Sequence, residues 1–245
     1  MLRGSKSPVR VSPVYSPELT FSLRRRKKND RSIFTFIRRT DRPMRKGEQT
    51  RAAILDAALD IASREGLEGL TIGVLADRIQ MSKSGVFAHF GSREDLQIQV
   101  LKEYERRFVE AVLLPSLPEK RGLPRLEAIF MRWLEKVGME IHSGCIYVSG
   151  ASEYDDRPGP IRDELVRMLS AWEKELLRAT RQAVDAGDLP DGLAAEQLVF
   201  EMFGLTLAAH QSGRLMHRTD AVVMAKKGFD RLVGRATTDT RCSVV

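Results

Sequence analysis

At 245 residues, 42% hydrophobic and 30% charged, the chain is long enough to bury a sizeable core and has the composition of a globular protein. It has no apolar run of about 18 residues and no secretory leader pattern, and its two cysteines, Cys145 and Cys242, cannot build a disulfide framework or a CxxC metal pair, so a membrane span, an export signal and a disulfide scaffold are not expected and a reducing cytoplasm fits. The net charge of +7 is uneven: residues 1–46 carry 14 Lys/Arg against 3 Asp/Glu, a surplus of +11, which leaves −4 on the rest, so any contact of the folded body with a polyanion needs a local basic patch.

Residues 1–43 are interrupted by Pro8, Pro13 and Pro17 and contain the block "RRRKK" at 24–28. Such a stretch cannot bury enough apolar area to offset its ordering entropy. Three readings stand side by side: a disordered basic tail lying upstream of a start at Met44, a nucleic-acid-binding arm, and an Arg-rich transit peptide.

From Met44 onward the apolar residues recur with helical period, and no strand alternation is evident. A first helix is expected over 47–65, with Ile54, Leu55, Ala58, Ile61 and Ala62 on one stripe and Gly66 as its stop. Thr71 is the expected N-cap of a second helix whose inner face is Ile72, Leu75, Ala76 and Ile79. Gln80-Met81 makes a tight turn, and Ser82 caps a third helix anchored by Val86, Phe87 and Phe90. Gly91 ends that helix; Ser92 caps the fourth, with Asp95 in the N3 place of a capping box, and the helix runs toward Leu114. Further helices are expected near 125–140, 144–153, 160–186, 193–213 and 220–233, with Pro160 in a first turn and Gly187 as a stop. The expected fold is all-α with about nine helices. Its expected divisions are a tail at 1–43, a first helical unit at 44–107, a second at 108–235 and a disordered end at 236–245.

The two short helices joined by a turn make a helix-turn-helix. Ser84 and Gly85 are small enough to let the first turn of the third helix come close to base edges, and Lys83, Ser84 and His89 are polar groups able to face a duplex. Free backbone N–H groups at the caps Thr71, Ser82 and Ser92 suit phosphate oxygens. The spacing alone is weak, because any helical core contains such corners.

The stretch "TRAAILDAALDIASREGLEGLTIGVLADRIQMSKSGVFAHFGSREDLQ" from Thr50 resembles the TetR family of bacterial transcriptional regulators. The resemblance implies a homodimeric, ligand-responsive regulator, most often a repressor, that binds a palindromic operator in double-stranded DNA and is released by a small-molecule effector. It implies Thr71, Ser82, Lys83, Ser84, Gly85, Phe87, His89 and Arg93 as DNA contacts. Two positions depart from the family pattern. Phe87 stands where a tyrosine is usual and cannot donate to a phosphate, and Arg93 replaces a lysine while keeping the charge. His89 is read equally as a packing group or a DNA contact.

For the second unit, Phe130, Trp133, Tyr147, Met168 and Trp172 are the candidates to line an apolar ligand site, with ordinary core burial as the alternative. Met202, Phe203, Gly204, Ala208, Val222 and Phe229, on the last two helices, are the candidates for dimerisation. His142 and Cys145 are too few for a metal site, and Cys145 reads as a small buried hydrophobe. No cofactor is expected. The chain has no GxSxG, HExxH, Walker or GxGxxG motif, so it does not read as an enzyme. A sequence-nonspecific packaging protein driven by the basic tail is the alternative.

Overall fold

The computed structural model describes the backbone of residues 46–242 and the side chains of 47–234. Nine α-helices are described: α1 (Lys46–Gly69), α2 (Ile72–Ile79), α3 (Lys83–Phe90), α4 (Arg93–Phe108), α5 (Leu123–Ser143), α6 (Ile146–Tyr154), α7 (Pro160–Asp185), α8 (Ala195–Arg214) and α9 (Ala221–Cys242). There is no strand among the described residues. The expected all-α class is observed. The expectations for 1–43 concern residues outside those described. Helical backbone continues past 235, the expected end of the second unit, as far as Cys242.

Local chemistry accounts for most boundaries. Gly66 interrupts α1 at φ 82°, a left-handed backbone that disfavours side chains with a Cβ. The helix resumes for one turn to Gly69, later than the expected end at 65. Pro160 occupies the first turn of α7, where its missing N–H has no intrahelical role. After Phe108 the chain loosens and then tightens, with a π-helical turn at Val109–Leu113 and a 3₁₀ turn at Leu114–Ser116. Pro115 lies in that 3₁₀ turn and cannot donate to a continuing helix.

One core runs through the molecule, from Ile54 and Leu75 near the short helices to Phe130, Trp172 and Phe229. Around it α1 packs on α4 and α6, α4 on α7, α5 on α7 and α8, and α8 on α9. Among the described residues no helix is long and apolar enough to cross a membrane.

Candidate nucleic-acid interface

Thr71 has extended backbone angles, and its Oγ1 accepts from Val74 N–H at 3.1 Å, satisfying an N–H that α2 leaves free. Gln80 takes left-handed angles at φ 55°, and Met81 N–H returns to the Ala76 carbonyl at 3.0 Å. Ser82 repeats the cap, accepting from Gly85 N–H at 3.1 Å while its hydroxyl lies 3.1 Å from that of Ser84. Gly85 has a tight position. A Cβ there would sit 3.2 Å from Ser82 Oγ and 3.3 Å from Met81 Cε. Ser92 Oγ accepts from Asp95 N–H at 2.9 Å and donates to Asp95 Oδ2 at 2.7 Å, so the return bond at the start of α4 comes from the hydroxyl rather than from the Ser92 N–H of the expected capping box.

Replacing Thr71 with alanine should therefore lower stability by about 1 kcal/mol in urea denaturation, with the slope unchanged.

Helix α3 is held from beneath by Val86 and Phe90, both buried. The expectation of a second phenylalanine anchor is corrected. Phe87 is 55% exposed, because an inward face defined by positions 86 and 90 leaves 87 about 100° around the helix. Arg51 of α1, not singled out from sequence, covers the Phe90 ring with its guanidinium 5.0 Å from the centroid. Only folding α1 against α3 reveals that pairing.

Lys83, Ser84, Phe87 and Ala88 face solvent together. Lys83 lies along α2; a Cβ on Gly73 would be 3.5 Å from its Cε and 3.7 Å from its Nζ. Its ammonium therefore sits beside the first turn of α2 and its cap Thr71, where unpaired N–H groups already favour an anion. His89 is half-buried, its ring tilted against Phe90 at 6.3 Å.

Arg93 has another occupation. Its Nε donates to the Leu70 carbonyl at 3.0 Å and one Nη to the Glu68 carbonyl at 2.5 Å, with the Glu68 carboxylate at 3.3 Å. The planar fork expected to meet phosphate clamps the α1–α2 corner. Gln97 reinforces it, donating to the Leu67 carbonyl at 2.5 Å.

The same corner meets α6. Tyr154 Oη donates to Glu68 Oε1 at 2.5 Å, and Glu153 accepts from the Glu68 N–H at 2.9 Å. The Tyr154 hydrogen bond, then the Arg93 and Arg157 charges, hold the Glu68 carboxyl below its ordinary range against partial desolvation. A depressed carboxylate contributes stability above its unfolded-state pKa and loses it as pH falls through the folded value. In Tyr154→Phe the Glu68 pKa, followed by carboxyl NMR titration, should rise toward the ordinary carboxylate range, and acidification should then remove less stability than in the parent.

The five ligand candidates do converge. Trp133 and Trp172 meet edge to face at 5.4 Å, Phe130 lies 6.3 Å from Trp133, and Met168 and Tyr147 belong to the same cluster. Phe108, at the end of α4, touches Trp172 at 4.8 Å. Trp172 Nε1 is buried without a hydrogen-bond partner among the described residues. Cys145 is buried beside Tyr104, and its thiol is pushed up to about 12 by burial and by Glu140. His142 is exposed.

The dimerisation set divides. Met202 and Phe229 are core residues, Phe229 stacking on Phe130 at 4.2 Å, and cannot reach a partner without unpacking the interior. Phe203 packs on Trp133, and Val222 lies against Gly138. Gly204 and Ala208 face outward, together with Phe200 and Leu207 on α8, Leu215 just after it, and Val223 and Met224 on α9.

Two family models match the chain: "Bacterial regulatory proteins, tetR family" over residues 54–100 and "Tetracyclin repressor-like, C-terminal domain" over 122–229. The HTH-type transcriptional regulator SrpR of Pseudomonas putida is 22% identical over 158 residues, 64% of this chain and 72% of that protein. The crystal structure of a TetR-family regulator from Cytophaga hutchinsonii superposes with a TM-score of 0.68 at 16% identity, covering 80% of this chain and 98% of that one. AibR in complex with isovaleryl coenzyme A and operator DNA superposes with a TM-score of 0.59 at 20% identity, covering 76% and 96%.

Proposed function

The chain belongs to the TetR family of bacterial regulatory proteins, and from that premise we infer that it is a homodimeric repressor binding a palindromic operator and released by a small molecule. In this reading residues 44–107 carry DNA recognition and 108–235 the effector and partner contacts. The observation that carries the reading is the solvent-facing row Lys83, Ser84 and Phe87 on a short helix pinned by Val86 and Phe90. A helix anchored on one side and free on the other can enter a major groove without unfolding.

Lys83 supplies the charge of the row, beside the amides of α2. Thr71, Ser82 and Ser84 offer hydroxyls and backbone donors to phosphates, which set register, while base edges set sequence preference. Phe87 offers its ring to a thymine methyl or a sugar, and Gly85 keeps the first turn thin. Arg93 acts by holding the corner from which α2 and α4 start.

For the effector, the aromatic cluster around Trp133 and Trp172 is the proposed receptor, its unpartnered indole N–H being the polar handle an apolar site needs. AibR is described with isovaleryl coenzyme A, which makes acyl thioesters a reasonable first class to screen. Helix α4 connects the two ends: it starts at the Arg93 clamp and finishes with Phe108 against Trp172. A ligand that tilts α4 changes the separation of the recognition helices, and couplings of this kind are typically ~1–3 kcal/mol.

The test is selection of bound fragments from random genomic DNA with the purified protein, followed by a search for an inverted repeat. Recovery without any shared repeat sinks the reading. On the selected operator, Lys83→Ala should weaken binding and lower the slope of log affinity against log salt by about 1.

A further inference from the structure

Where α1 meets α6 and α8 there is a cavity of about 330 Å³. Its walls are the end of α1 around Ser63 and Gly66, the α6 face bearing Ser149 and Glu153, and His210 and Arg214 of α8. The volume lies at the small end of the range for ligand sites. None of the aromatic residues of the effector cluster lines it.

The charges in these walls are not equally occupied. Glu153 accepts the Glu68 N–H at 2.9 Å, Glu65 is paired with Arg78 at 3.7 Å, and Arg64 with Asp60 at 2.8 Å. Glu140, behind His210, is held by Tyr104 at 2.6 Å and Lys136 at 2.8 Å. Arg214 gives one Nη to the Ile141 carbonyl at 3.1 Å and has no carboxylate partner among the described residues. His210 is 7% exposed, and its Nε2 is buried without a hydrogen-bond partner among the described residues. The two basic groups are four residues apart on α8, so they share a face.

We propose that this cavity is a receptor for a small carboxylate, gripped by the Arg214 guanidinium and the His210 imidazole. A guanidinium presents parallel donors that match a carboxylate. A neutral imidazole adds one N–H once its ring turns into the cavity, and a bound oxygen would then give Nε2, closed to solvent in its present position, the partner it lacks. Burial lowers the His210 pKa, and the Arg214 charge adds to this while Glu140 opposes it. The apolar wall of Cys145 and Val148 accommodates a short carbon skeleton. The site is distinct from the aromatic effector cluster, and its walls come from the DNA-recognition side and from the effector side at once.

The experiment is calorimetric titration of the full chain, without DNA, using succinate, 2-oxoglutarate, benzoate and the amide of each. At least one acid should bind saturably while its amide does not. Arg214→Gln and Ser149→Leu, which fills the cavity and leaves both bases in place, should each weaken binding at least tenfold, and Arg181→Ala, at an exposed arginine outside the cavity, should leave it unchanged. Should Arg214→Gln fail to fold, as read by circular dichroism, Ser149→Leu decides. No binding of any acid at millimolar concentration, equal binding of the amides, survival of binding in Ser149→Leu, or loss in Arg181→Ala overturns the proposal. Because no DNA is present, each of these outcomes leaves the operator reading standing.

Discussion

Replacing Phe200 and Leu207 together with glutamate should leave a folded monomer that no longer retains a palindromic duplex. Phe200 is 72% and Leu207 50% exposed, on the outward stripe of α8 that also carries Gly204 and Ala208, with Leu215 just past its end and the exposed Val223 and Met224 on α9. Exposed apolar residues clustered in this way mark a surface that prefers to be covered. The small residues at 204 and 208 let a second helix approach closely; a Cβ on Gly204 would meet nothing within 4 Å. A second copy of this chain is the occupant proposed here, because a two-fold operator demands a two-fold reader. Surface substitutions of this kind usually change the stability of a single chain by no more than ~0.5 kcal/mol. Carboxylates placed face to face across a two-fold axis would instead repel. Losing the second half-site should reduce operator affinity toward nonspecific binding, a fall of at least ~10³-fold. Sedimentation equilibrium and fluorescence anisotropy read the two effects separately. A variant that sediments as a dimer and keeps its operator shows that α8 is not the interface.

Gly144→Ala should be the most damaging single methyl in the molecule. Gly144 ends α5 at φ 93° and ψ 158°, a region that is essentially glycine's alone. Its N–H returns to the Glu140 carbonyl at 2.8 Å, and a Cβ would overlap the backbone carbonyl of Ser63 in α1. Gly66 is the instructive contrast, with φ 82° and ψ 168° and a Cβ that would overlap the Glu153 carboxylate. A side-chain carboxylate can swing away, whereas a helix carbonyl cannot. Backbone strain and overpacking together should lower stability by roughly 3–5 kcal/mol at Gly144. That corresponds to a fall in Tm of roughly 10 °C for a chain of this size. Gly66→Ala should lose less, chiefly the backbone strain. Calorimetry on the two variants checks the order, and equal losses would mean that the α1 carbonyl yields as readily as a side chain.

The candidate interface was legible in part. Thr71, Ser82, Ser84 and Lys83 announce themselves because a cap and its neighbour depend on atoms within one helical turn. Arg93 does not, because its partners are the carbonyls of Glu68 and Leu70, more than twenty positions earlier. Phe87 and Phe90 are chemically alike, and only the packing of α3 on its neighbours makes one an anchor and the other a contact surface. Met202 and Phe229 read as partner-facing residues because they are apolar on the last two helices, yet both belong to the interior.

What the chain determines by itself is the helical class, most of the capped starts and glycine or proline stops of its helices, and the paired short helices with serine and threonine caps. These follow from hydrogen bonds and dihedral preferences confined to a few neighbouring residues. Tertiary structure alone decides which apolar face is covered, which arginine is spent inside the molecule, where Gly144 meets Ser63, and where His210 and Arg214 are brought against α1. Those outcomes depend on which segments distant in sequence come into contact, and a helical period specifies a face without naming what will lie against it.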